Sequence, residues 1–185
     1  MSGARVWCYA GAYGVLAVVV AGCTALAPDV DPMQRKAVQP VVHDALVAGL
    51  EKEGGMLADS SLASTARWFC AEKVVEIREM DGGALKVGLV TRCSELAARG
   101  RTLVEGTGVR APWLVELSMD GKGGYHVRRQ DSPPDGVGYD EWIGRSFSQG
   151  GAEVVRHEDW DATSTLESAA RTHFRLPPDA PVTTL

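Results

Sequence analysis

A chain of 185 residues is long enough for one domain with its own core and too short for several. With 19 basic against 24 acidic side chains it carries a formal net charge of −5, and no basic stripe runs along it, which disfavours a nucleic-acid partner. A mildly acidic balance of this size is otherwise a statement about solubility.

Arg5 is followed by an uncharged run whose apolar middle is Val15-Leu16-Ala17-Val18-Val19-Val20, closing on Ala21-Gly22-Cys23. One basic residue, an apolar stretch, two small residues and then cysteine is the layout of a bacterial lipoprotein signal peptide. Cleavage before Cys23 and acylation of its thiol would remove residues 1–22 and leave the mature chain held by lipid on the outer face of the cell membrane. Each buried methylene contributes about 0.8 kcal/mol, so two acyl chains hold stably where one does not. Two alternatives are an uncleaved anchor and ordinary secretion. A spanning helix needs roughly 20 apolar residues, but Gly11, Gly14 and Gly22 weaken a helix here and no basic cluster follows. Losing residues 1–22 removes Arg5 and no acid, so the net charge becomes −6 from −5.

Cys8 leaves with the signal peptide and Cys23 takes lipid, so Cys70 and Cys93 remain as an even pair. In an oxidising compartment such a pair reads as a disulfide; two separately buried thiols are the alternative. No histidine sits at ligand spacing from either, so neither a metal nor another cofactor is expected.

Residues 23–37 read as a tether, 38–175 as a single domain and 176–185 as a proline-rich tail, disordered or extended. Pro40 suits the first turn of a helix, Val42, Leu46, Val47 and Leu50 follow on one face, and Gly54-Gly55 stops it. A small, polar connection runs on to Thr65. Two β-prone runs, Arg67 to Met80 and Leu85 to Ser94, flank Asp81-Gly82-Gly83 and predict a hairpin. A two-residue turn would set Cys70 opposite Cys93 but place Val87 opposite Glu76. A three-residue loop with Gly83 left-handed pairs Ile77 with Val87 and Val75 with Leu89, but turns the cysteines to opposite sides. One β-bulge between Ala71 and Val75, or opposite it, reconciles the two.

A third strand is expected over Trp113 to Leu117 and a fourth over Tyr125 to Arg129, joined through the glycines after Asp120. Pro133-Pro134-Asp135-Gly136 makes a turn. Tyr139, Trp142, Ile143 and Phe147 are spaced as a short helix, and Ser164 with Glu167 matches a capping box for a last one. The fold class is therefore α+β: an N-terminal helix, a four-stranded antiparallel meander of cystatin-like or NTF2-like kind with one buried face, and C-terminal helices.

The segment with Gly106-Thr107-Gly108, Pro112, Val115-Glu116-Leu117, Gly124-Tyr125-His126-Val127, Pro133-Pro134-Asp135-Gly136 and then Tyr139, Ile143 and Phe147 resembles an extracytoplasmic domain of Gram-positive bacteria. That domain occurs in small lipoproteins and in BlaR1-like sensor peptidases. The chain departs from its pattern at Arg129-Gln130-Asp131, where an aromatic and an acidic residue are usual. The resemblance implies an envelope location and supplies no catalytic residues.

Catalytic constellations are not evident. The four histidines, His43, His126, His157 and His173, have no zinc-like spacing. His157-Glu158-Asp159 is a dense polar cluster, but consecutive residues diverge. Ser60-Ser61 and Ser64-Thr65 lack a nucleophile elbow. Gly106-x-Gly108 and Gly121-x-Gly123-Gly124 read as turns, and Asp140-Glu141 as first-turn acids of a helix. Trp113 and Trp142 are expected in the core, whereas an exposed Trp68 or Trp160 is a candidate contact for an envelope protein partner. The functional expectation is a lipid-anchored, non-enzymatic binding or regulatory module. The alternatives are a small-ligand carrier or enzyme with an NTF2-like cavity, and a cystatin-like inhibitor of an envelope enzyme.

Overall fold

In the computed structural model the described residues are 27–185; the signal-peptide and Cys23 readings lie outside them. The first element is α1, Pro32–Glu53, with the Asp31 carboxylate accepting the Met33 and Gln34 N–H groups at 2.7 and 2.9 Å. This cap and Pro32 behind it start the helix well before Pro40, which lies inside the helix on its exposed side. There the carbonyl left without a Pro40 N–H can turn to water. Val38, Val42, Leu46 and Leu50 form the buried stripe, and Gly54 ends the helix. Val30 is itself buried in the core, so the stretch expected as tether belongs to the domain from that point on.

The hairpin of β1 (Arg67–Glu79) and β2 (Leu85–Arg99) turns through Asp81–Gly83, with Gly83 left-handed at φ 76°. Ile77 pairs with Val87, and the ladder shifts by one at Val75, which has no partner, so that Val74 meets Leu89 and Cys70 meets Cys93. The cysteines form a disulfide. The bulge has a second effect: Val75 and Glu76 both reach the face covered by the C-terminal helices, where Val75 packs with Trp142 and Glu76 meets Ser148.

β2 and β3 (Thr102–Met119) are much longer than the sequence suggests, joined by a two-residue turn at Gly100-Arg101 with Gly100 at φ 61°. Gly106 and Gly108 therefore lie within a strand rather than in a turn. Gly106 is where β3 bulges opposite Glu95, and a Cβ there would come within 2.6 Å of Glu95 and Leu57. β4 (Tyr125–Asp131) follows a loop in which Asp120 accepts the Lys122 and Gly124 N–H groups, both at 2.8 Å. The tail is ordered: β5 (Val182–Thr184) runs parallel to Leu103–Glu105, completing a five-stranded sheet of order β1-β2-β3-β4 with β5 on β3.

Both sheet faces are covered, not one. On the first, Val38, Val42 and Leu46 of α1 pack on Val87, Leu89, Val115 and Leu117, with Trp113 only partly buried beside them. On the second lie α2 (Tyr139–Ser146), α3 (Gln149–Arg156) and α4 (Thr163–His173); Trp142 and Ile143 fill it against Val75, Val90 and Leu114. α3 has no counterpart in the sequence reading, because Gly150 and Gly151 weaken the helical signal. Those glycines are buried where α3 meets the sheet, and a Cβ on Gly151 would lie 2.4 Å from Glu76. The expected capping box at α4 is absent. Ala162 precedes the helix, Asp161 accepts from the Thr163 N–H at 2.9 Å and Oγ1 at 2.6 Å, and Glu167 pairs with Arg171 at 3.0 Å. Among the described residues no helix is long and apolar enough to cross a membrane.

Candidate functional site

A cleft of about 250 Å³ opens where β2 and β3 meet α2, α3 and the loop after α3. Val90 and Pro112 line it from the sheet, Val155 and Tyr139 from the helices, and Trp160 from the loop. Arg110 and Arg156 also line it.

The loop carrying Trp160 is built around Glu158. One carboxylate oxygen accepts the Trp160 N–H at 2.9 Å, and the other lies 2.5 Å from Lys73 Nζ on β1. Arg110 donates to the Glu158 carbonyl. Burial pushes the Glu158 carboxyl up, but Lys73, the Trp160 N–H and Arg110 together outweigh it and hold the group below the ordinary carboxylate range. Glu158 is thus ionised and occupied as the clamp of its own loop. Burial, reinforced by Asp140 and opposed by Arg110, pushes the Tyr139 phenol above its usual value, so it remains a protonated donor at neutral pH. Arg156 holds Asp140 only loosely, at 3.9 Å. Thr91 Oγ1 donates to the Ala111 carbonyl at 3.0 Å. The cleft therefore offers donors and an indole surface, an arrangement suited to holding an acceptor-rich group such as a carboxylate.

The sequence candidates are distributed as follows. Trp160 is half-buried and lines this cleft, whereas Trp68 is buried (7 % exposed) behind α1 with Leu50 and Cys93 and is not an exposed contact. Trp142 is in the core. His157, Glu158 and Asp159 diverge: His157 pairs with Glu153 at 3.0 Å on the surface while Glu158 turns inward. Among the described residues no cluster of three or more His, Cys, Asp or Glu could hold a metal ion. Arg110, Arg156, Tyr139 and Lys73 escaped the sequence reading. They come from four elements, and only the close approach of α2 and α3 to β3 brings them together. No family model, curated protein or solved structure matches the chain.

Proposed function

We propose that the chain is a lipid-anchored, extracytoplasmic binding or regulatory module of the cell envelope, held at the outer membrane face through Cys23. It recognises an envelope partner at the cleft of Trp160. The observation that carries this reading is the combination at one opening of a half-buried tryptophan with Arg110, Arg156 and the Tyr139 hydroxyl, while the local carboxylate is already committed to Lys73. Tryptophan and arginine are the side chains most enriched at interface hot spots. The disulfide supports an oxidising compartment, and Val20-Ala21-Gly22-Cys23 supports the anchor. The core on the second face is filled by Trp142 and Ile143, so a small-ligand carrier of NTF2-like kind would have to use this same cleft between sheet and helices.

A second reading, a cystatin-like inhibitor of an envelope enzyme, is favoured by one observation. The turn after β4 presents Val137, 99 % exposed, beside the partly exposed Tyr139. The apolar tip there is aliphatic, Val137, with Tyr139 as its aromatic neighbour.

Crosslinking of the lipidated protein in its own membranes, followed by pull-down, tests the proposal. One stoichiometric partner is expected, lost in Trp160→Ala and retained in Thr172→Ala on the far helix. Retention in Trp160→Ala would move the interface away from the cleft, and its loss in Val137→Asp alone would favour the inhibitor reading. Cys23→Ala should accumulate as uncleaved precursor; normal maturation of that variant would refute the lipid anchor.

A further inference from the structure

At the cleft of Trp160 the sheet brings like charges together. Arg92 on β2 and Arg110 on β3 are directly opposite in the ladder, so both leave the sheet side by side on the face covered by the C-terminal helices. Like charges so placed repel unless an anion lies beside them. Arg156 of α3 lines the cleft together with Arg110 and adds a third guanidinium.

The neighbouring carboxylates compensate these charges only in part. Asp161 is 3.7 Å from Arg92 Nε, is exposed, and already accepts from Thr163. Asp140, also exposed, is 3.9 Å from Arg156 Nε, and the Asp140 carbonyl accepts from Arg156 Nη2 at 3.5 Å. Exposed pairs at such distances contribute little. Glu158 is taken by Lys73. Arg110 donates to a neutral acceptor, the Glu158 carbonyl, and among the described residues no carboxylate is within ion-pair distance of it. Its remaining donors are left for a ligand. The Tyr139 hydroxyl, protonated at neutral pH, adds a neutral donor.

Size and apolar lining narrow the ligand further. A volume of about 250 Å³ is below the roughly 300–1,000 Å³ of pockets that enclose a whole small molecule, so the cleft suits the end of a longer one. Val90, Pro112, Val155 and the Trp160 ring line it alongside the two arginines. A carboxylate on a carbon that also bears an apolar side chain meets both kinds of surface at once, and that is the last residue of a peptide.

We propose that the cleft binds the C-terminal carboxylate of a peptide chain, with Arg110 and Arg156 as its cationic partners and Val90, Pro112 and Trp160 receiving the terminal side chain. The inference rests on the reading of this cleft as the recognition site and names the part of the partner that enters it. The same carboxylate chemistry is carried by aspartate and glutamate side chains, and the test separates the two sources.

The intact mature chain is titrated with acetyl-Gly-Gly-Val as the free acid, with its C-terminal amide, with acetyl-Gly-Asp-Gly amide and with acetate, following the Trp160 indole and the Arg110 and Arg156 Nε–H signals by NMR. Saturable shifts with the free acid are expected, with binding of the other three weaker by roughly tenfold or more. Arg110→Gln should weaken free-acid binding roughly tenfold, and Arg156→Gln, which leaves the Arg110–Glu158 contact in place, roughly threefold. Absence of saturable shifts with the free acid, equal affinity for the amide or for acetate, tighter binding of the aspartyl peptide, or unchanged affinity in both variants would overturn the proposal. A crosslinked partner lost in Trp160→Ala, with no binding of the free acid, would keep the cleft as an interface and remove a C-terminus as its occupant. Free-acid binding with no crosslinked partner would support the proposal and refute the envelope-partner reading.

Discussion

Nδ1 of His43 on α1 lies 2.6 Å from Oε1 of Glu72 on β1, so the helix is pinned to the first strand by a pair whose strength depends on the imidazole proton. The hydrogen bond to Glu72 raises the His43 pKa, burial opposes it, and the charges of Glu72 and Asp44 add to the rise. A pKa raised on folding means that the protonated form is favoured in the native state. The contribution is fully present below the unfolded value of about 6.5 and is lost as pH rises through the folded one. His43 is 42 % exposed, so solvent screening limits the effect to about 1 kcal/mol at most. Urea unfolding of wild type and His43→Asn between pH 5.5 and 8.5 should show the gap between them closing as pH rises. A gap that widens would show that the pair does not act in this way.

Removing the disulfide should cost roughly 3 kcal/mol, the loop-closure entropy expected for the 23-residue separation of Cys70 and Cys93. The double variant Cys70→Ser/Cys93→Ser leaves the rest of the ladder intact, so secondary structure by circular dichroism should be preserved while the urea midpoint falls. Reduction of the wild type should reproduce that fall. A midpoint insensitive to both treatments would show that the paired strands hold the hairpin without the bridge.

Two glycines of β3 should behave oppositely when given a methyl group. In Gly106→Ala the Cβ would meet Glu95 Oε2 and Leu57 Cγ at 2.6 Å, and overpacking of this kind costs about 1–3 kcal/mol. In Gly108→Ala nothing lies within 4 Å of the new atom, and the change should be within about 0.5 kcal/mol. Thermal melts of the two variants side by side measure the contrast. Equal destabilisation would mean that the approach of Leu57 and Glu95 to the β3 bulge is looser than these distances.

The hairpin was readable because two independent constraints met in it: Asp81-Gly82-Gly83 marks the turn, and the parity of the cysteines demands a register that only a bulge at or near Val75 can supply. The next hairpin was not. Ala97-Ala98-Arg99 before Gly100 has weak strand preference, and the glycines at 106 and 108 imitate a turn although both lie within β3, where Gly106 admits Leu57 and Glu95. Burial of both sheet faces was equally hidden. Thr91, Ser94 and Glu95 interrupt the apolar run of β2 although all three are buried, their polar atoms being met by neighbouring strands and the loop after α1. The cleft at Trp160 was legible only as one suspected tryptophan, because α3, which supplies a wall, carries two glycines in its first turn.

Glu76 connects the β1 bulge to the helical layer, and its removal should be felt along α3. The side chain is 2 % exposed and accepts the Ser148 N–H at 3.1 Å and the Ser148 hydroxyl at 2.5 Å. Ser148 is in turn the N-cap of α3, its hydroxyl oxygen accepting the Gly151 N–H at 3.1 Å. Arg78 Nε is 3.0 Å from Glu76 Oε1, yet its N–H makes no directed hydrogen bond, so that contact is electrostatic. Glu76→Ala leaves the Ser148 donors without their acceptor and the Arg78 guanidinium without its charge partner, a loss of about 1.5–3 kcal/mol. Glu76→Gln retains an acceptor and should lose roughly half as much. Hydrogen exchange should quicken first in residues 149–156 of the alanine variant, ahead of β2 and β3. An α3 as protected as in the wild type would show that the helix is held by Ala152 and Val155 in the core rather than by its carboxylate-anchored cap.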